Sequence, residues 1–278
     1  MAVDRSIELA DSVTKLDSSQ VAKVVVCGSH GGIYASYLAA QAGIRAVILN
    51  DAGVGKDMAG IAGLGYLDKL GMAAATVSNW TARIGDAGDM WTRGVINHVN
   101  KTAAHLGCRA GESCAECSQR LKAAAIPRRP ERENEFRFLI QAKPSEPQVW
   151  ALDSVSLVQP GDRGSIAITG SHGALLGGRP ATSIKVNVLA AVYNDAGGGI
   201  DGAGFSRLPA LDERGIAAAT VAADSARIGE GRSTWQDGVL SCINRAASEA
   251  GIAVGMTTKD FVARIIEHGK LQKGAING

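Results

Sequence analysis

The chain has 278 residues, of which 46% are hydrophobic and 20% charged, and its 29 basic and 27 acidic side chains leave a net charge of +2. That balance supplies enough apolar material for a core, excludes a disordered chain and, with only the short Arg128, Arg129, Arg132 cluster, gives no nucleic-acid footprint. Apolar runs such as Val24 to Cys27 fall far short of the ~20 residues a membrane span needs, the start lacks a secretory core, and five cysteines, an odd number, suit reduced thiols; the expectation is a soluble, cytoplasmic protein.

In chain order, β-rich runs alternate with helical patterns. Ile7 to Ala10, Lys23 to Cys27, Arg45 to Leu49 and Ala73 to Val77 read as strands, and helical spacing marks Ile33 to Gln41, Met58 to Leu70 and Met90 to Leu106. A proline-marked stretch over 123–152 reads as a linker whose one apolar run, Phe136 to Ile140, is a candidate extra strand or clasp. The pattern then restarts: Val149 to Leu152, Ser165 to Thr169, Val188 to Tyr193 and Ala217 to Val221 again read as strands. Continuous apolar runs of this kind suit a mostly parallel sheet buried on both faces, so the expected class is α/β.

The restart is literal. From Asn50 to Gly107 the chain recurs without a gap 144 residues later, with 27 of 58 positions identical. Upstream, Gly28-Ser29-His30-Gly31 returns as Gly170-Ser171-His172-Gly173, and Asp11-Ser12-Val13 as Asp153-Ser154-Val155. The chain therefore reads as an internal duplication of a roughly 110-residue unit, 11–122 and 153–266, with the halves expected to be related by a pseudo-twofold axis. Ten glycine pairs account for 20 of the 35 glycines, so the high glycine content is largely one turn-rich unit written twice.

The retained motifs follow strands, and in a parallel sheet those points share the carboxyl edge, where open α/β folds bind ligands. Ser29, His30, Ser171 and His172 are the sharpest catalytic candidates: a hydroxyl to attack or polarise a carbonyl, an imidazole to move a proton. Asp51 and Asp195, in Asn-Asp-Ala-Gly, are expected to orient the histidines, with simple turn chemistry as the alternative. Candidate substrate-binding positions are Asp11, Gly31, Asn50, Gly53, Lys56 and Arg83, with Asp153, Gly173, Asn194 and Arg227 in the second half; Arg83 and Arg227 could equally pair with Asp57 or Asp86. The G-x-S-x-G elbow and the P-loop pattern both fail, and no cofactor is called for.

Metal binding is not expected. Cys114 and Cys117 form a C-x-x-C, yet Cys108, Cys114 and Cys117 answer to Ile252, Thr258 and Phe261 in the repeat. Three mismatches between the copies stand out, Lys56 against Ile200, Trp80 against Asp224 and Gly63 against Arg207, and a lysine near Ser29 would favour the first half for catalysis. The resulting expectation is a small-molecule hydrolase acting on an amide, cyclic imide or related carbonyl compound. Two alternatives stand beside it: an isomerase or lyase with pseudo-symmetric acid/base groups, and a non-catalytic anion-binding regulatory module. The expected partner is a small anionic or carbonyl-rich substrate, with no nucleic acid, no membrane and a homo-oligomer as an option.

Overall fold

The computed structural model describes residues 4–276, with side chains to residue 271. Strands alternate with helices and form two mostly parallel sheets, an α/β arrangement. In the first sheet β1 (Ile7–Ala10), β2 (Val24–His30), β3 (Ala46–Asn50), β4 (Ala73–Val77) and β5 (Ile96–Val99) lie side by side in chain order, the last antiparallel. The second sheet contains β6 (Arg137–Gln141), β7 (Val149–Leu152), β8 (Ile166–His172), β9 (Ala190–Asn194), β10 (Ala217–Val221) and β11 (Leu240–Ile243), with β6 and β11 antiparallel to their neighbours. Among the described residues no helix is long and apolar enough to cross a membrane.

Side-chain alternation splits each strand between two cores. In the first sheet Val24, Val26, Ile48 and Ala75 pack on one face with α3 (Ala87–Arg93), α4 (Lys101–His105) and α5 (Cys114–Leu121). Val25, Cys27, Val47 and Leu49 pack on the other with α1 (Ile33–Gln41) and α2 (Gly63–Lys69). The second sheet is covered by α6 (Arg207–Asp212) on one face and by α7 (Gly231–Asp237), α8 (Arg245–Glu249) and α9 (Thr258–Ile276) on the other. Burial on both faces explains why these strands read as unbroken apolar runs.

Two expected helices are corrected. The run Met90 to Leu106 is not one helix: α3 ends before Gly94, the β-branched Ile96 and Val99 help build β5, and the Asn100 side chain caps α4 by accepting the Ala103 amide. Met58 to Leu70 begins instead with a 3-10 turn at Lys56–Met58, and α2 starts only at Gly63. The Phe136 to Ile140 run does yield a strand, β6, which joins the second sheet beside β7.

One segment differs sharply between the halves. Where α1 covers the first sheet, the chain after β8 makes only 3-10 turns, at Leu176–Gly178 and Pro180–Thr182. Ile184, Val188 and the ring of Tyr193, which stands where the first half has Leu49, fill that space.

The two sheets meet through paired contacts. The Lys56 amide donates to Ala223 O at 2.9 Å and the Ile200 amide to Asn79 O at 2.8 Å. Arg227 reaches Asp57 at 2.8 Å and Arg83 reaches Asp201 at 3.0 Å. Between these lies a small shared core that includes Ala52, Ile84, Ala196 and Ile228.

Candidate functional site

β2 and β8 carry the Ser-His pairs at their carboxyl ends, where the register breaks between Val26 and His30 and between Ile168 and His172. The histidines reach the loops of the opposite sheet, while Ser29 and Ser171 bond the Val13 and Val155 amides beside their own strands. His30 packs against Gly229, where an added Cβ would lie 3.1 Å from His30 Cε1, and His172 packs against Gly85 at 3.4 Å on the same measure. Ser29, His30, Ser171 and His172 consequently line one cavity of about 490 Å³, a size suited to a small molecule.

The hydrogen bonds assign each group a chemical character. His30 Nδ1 accepts the Gly32 amide at 3.1 Å and His172 Nδ1 accepts the Ala174 amide at 3.3 Å. An accepting Nδ1 places the proton of the neutral ring on Nε2, which is then a donor. Burial holds His30 down at about 4, and burial, Arg207 and His30 hold His172 well below its ordinary value, so both rings are neutral at pH 7. Ser29 Oγ accepts the Val13 amide at 3.0 Å and Ser171 Oγ accepts the Val155 amide at 2.9 Å. Each hydroxyl proton is thereby left to donate.

Asp51 and Asp195 do not orient the histidines. Asp51 accepts from the Gly53 and Asn79 amides at 3.0 and 2.8 Å and from the Asn97 side chain. Asp195 accepts from the Gly197 and Ala223 amides at 2.8 and 2.9 Å. In both carboxylates Oδ1 holds the turn, and in Asp51 Oδ2 is also taken, by Asn97. The neighbouring Asn50 and Asn194 are spent likewise, each bonding Ala52 or Ala196 and the carbonyl of Ala82 or Ala226.

Of the substrate-binding candidates, Asp153 lines the cavity, and Arg227 borders an adjoining one of about 710 Å³ that shares His30, Tyr34 and Asp153. Asp11 accepts the Ala87 amide and pairs with Arg179. Gly31 and Gly173 are tight packing positions against Gly60 O and Gly204 O, and Gly53 packs on Gly197. Lys56 reaches Ser225 O and Asp237, not Ser29, which removes the reason for favouring the first half. Arg83 pairs with Asp86, Asp89 and Asp201 on the surface.

Of the cavity residues that the sequence reading did not single out for the site, two carry chemistry of particular weight. Glu135, in the proline-marked stretch 123–152, lines the cavity, and burial together with Asp153 pushes its carboxyl up to about 7 despite a Ser154 hydrogen bond. It lies in no recurring motif of the sequence, so only its place in space reveals it. Arg207 also lines the cavity and is 2% exposed. Its signal was the Gly63 mismatch: a Cβ at Gly63 would sit 1.9 Å from Ser36 Oγ on α1, whereas the second half lacks that helix. There Arg207 donates through Nε to Ala174 O at 2.9 Å and through Nη1 to Thr182 O at 2.8 Å and to Ser183 O.

Away from the cavity, ligand atoms of Cys108, Glu112 and Cys117 lie within 4.8 Å of one another. The juxtaposed thiols are thus Cys108 and Cys117 rather than the C-x-x-C pair, and Glu112 is already held by Arg120 at 2.9 Å and by the Arg109 amide at 3.0 Å.

No family model, curated protein or solved structure matches this chain.

Proposed function

We propose that the chain is a duplicated α/β unit, 11–122 and 153–266 joined by 123–152, whose copies are related by a pseudo-twofold axis and share one active site, and that it hydrolyses an amide-like C–N bond in a small carbonyl compound. The observation that carries the reading is that both Ser-His turns line a single cavity. In this reading His30 and His172 donate from Nε2 to the carbonyl oxygen, and the hydroxyls of Ser29 and Ser171 add further donors. Donors of this kind around the carbonyl oxygen favour the charge that develops as the carbonyl carbon becomes tetrahedral.

The serines are not nucleophiles here, because each Oγ accepts a backbone amide and neither histidine offers it a base. Water is the nucleophile. Glu135, poised near neutrality, takes the water proton as the C–O bond forms and returns it to the leaving nitrogen as the C–N bond breaks. The same donors and the same near-neutral carboxyl also suit removal of a proton next to a carbonyl, the isomerase or lyase reading. The two separate by isotope: hydrolysis in oxygen-18 water carries the label into the product, whereas enolisation in heavy water exchanges a carbon-bound hydrogen for deuterium.

Separate His30→Gln and His172→Gln variants test the catalytic assignment. Each should lower turnover by about a hundredfold or more, the usual cost of one oxyanion donor, with the fold intact by circular dichroism. Unchanged turnover in both would overturn it.

A further inference from the structure

We infer that the part of the cavity lined by Arg207 is a binding site for one carboxylate group of the substrate. The inference deepens the proposed function and rests on the cavity assigned there.

A guanidinium 2% exposed is costly unless a negative charge answers it. Among the described residues, no carboxylate lies within ion-pair distance of Arg207; its hydrogen-bond partners are the neutral carbonyls of Ala174, Thr182 and Ser183. The Tyr193 ring, 5.1 Å from the guanidinium carbon, adds a weakly attractive face and no charge. Three carbonyls and an aromatic face fix the position of the guanidinium while leaving its charge unmatched. The space beside it is the cavity that His30 and His172 also line. A ligand anion is the counter-ion that the protein does not provide.

The sequence differences support a purpose-built pocket. The first half has α1 and Gly63; the second has 3-10 turns, Tyr193 in place of Leu49, and Arg207 in place of Gly63. Removing the helix makes room for the arginine, and the turns supply the carbonyls that hold it. The cavity wall therefore combines Tyr34, Ala35 and Leu38 of α1 with Arg207. An apolar or carbonyl-bearing body with one carboxylate suits that lining. The three carbonyls occupy Nε and Nη1, which leaves Nη2 to meet a ligand carboxylate through a charge-assisted hydrogen bond, and an apolar body attached to that carboxylate gains burial against Ala35 and Leu38 that phosphate does not.

Benzoate, its neutral isostere benzamide and inorganic phosphate serve as probes, with binding to the full chain measured by titration calorimetry. Benzoate should bind at least about tenfold more tightly than benzamide, the scale of a charge-assisted hydrogen bond, and phosphate should bind more weakly than benzoate. Arg207→Gln should abolish the preference for benzoate, while His30→Gln keeps it. A crystal soaked with benzoate should show the carboxylate against Arg207, and this measurement decides the matter even if Arg207→Gln does not fold. Equal binding of benzoate and benzamide, phosphate binding tighter than benzoate, or a benzoate carboxylate located elsewhere would each overturn the inference. The two proposals fail separately: loss of turnover in the histidine variants with no benzoate preference removes the anchor alone, and a benzoate preference with unchanged turnover in those variants removes the catalytic assignment alone.

Discussion

Neutral imidazoles at His30 and His172 make the folded protein sensitive to acid. His30 takes a proton in the folded chain only near about 4, against an ordinary 6.5, and His172 is held down in the same direction. Between those values the unfolded chain binds more protons, so the contribution of the rings is complete above about pH 6.5 and is lost as the pH falls toward 4. Glu135 acts with the opposite sign. Its carboxyl is raised from 4.5 to about 7, so the folded state binds more protons, and its contribution is complete below pH 4.5 and lost as the pH rises through 7. Urea unfolding between pH 4 and 8 separates the two: His172→Gln should flatten the acid limb, and Glu135→Gln should remove the decline toward neutrality. A wild-type-like profile in both variants would contradict the burial of these groups.

At the scale of elements, the parts that were legible in the sequence are those that repeat. The strands at Ile7–Ala10 and Ala73–Val77 were readable because their apolar runs recur 142 to 144 residues later, and the Ser-His turns because rare histidines fall at matching positions. β5 was hidden because Trp91, Val95, Val99, Ala103 and Leu106 mimic helical spacing, and only Gly94 and Asn100 betray the interruption. Asp51 was misread because an Asn-Asp-Ala-Gly turn has the same composition whether its carboxylate faces a ligand or the backbone amides of Gly53 and Asn79. The turn at Gly229 shows how one element sets another's chemistry. Its φ is +85°, and an added Cβ would stand 3.1 Å from His30 Cε1. Gly229→Ala should therefore cost about 1–3 kcal/mol in stability from the left-handed backbone and, by pushing the His30 ring, lower turnover well beyond that produced by Gly215→Ala, where the φ is +65° and no neighbour lies within 4 Å. Equal activities in the two alanine variants would show that Gly229 does not set the ring.

For the whole molecule, the proposed duplication and shared cavity would mean that neither half carries the site alone, and the residues where the two sheets meet would then favour unlike partners. Asn79 Nδ2 donates to Ala196 O at 2.9 Å and packs against both Gly53 and Gly197, while the position matching Asn79 in the second half is Ala223. In a pair of two first halves, two Asn79 side chains would compete for that space. Lys56 pairs with Asp237 at 3.0 Å, and the residue matching Asp237 in the first half is Arg93. A pair of first halves would thus set Lys56 against Arg93, and like charges brought together penalise the wrong partner. The ion pairs from Arg227 to Asp57 and from Arg83 to Asp201 do not discriminate, since Asp57 and Asp201 occupy matching positions, and these exposed pairs contribute little strength. If two interlocked copies are one cooperative unit, fragments 1–126 and 127–278 produced together should form a 1:1 complex in analytical ultracentrifugation. Each fragment alone should self-associate at least about tenfold more weakly, the scale of one unfavourable charge or packing conflict. Asn79→Ala combined with Lys56→Ile, which gives the first half the second half's residues at both positions, should strengthen its self-pairing. Fragments that prefer themselves to each other, or variants that leave the preference unchanged, would mean that these residues do not select the pairing.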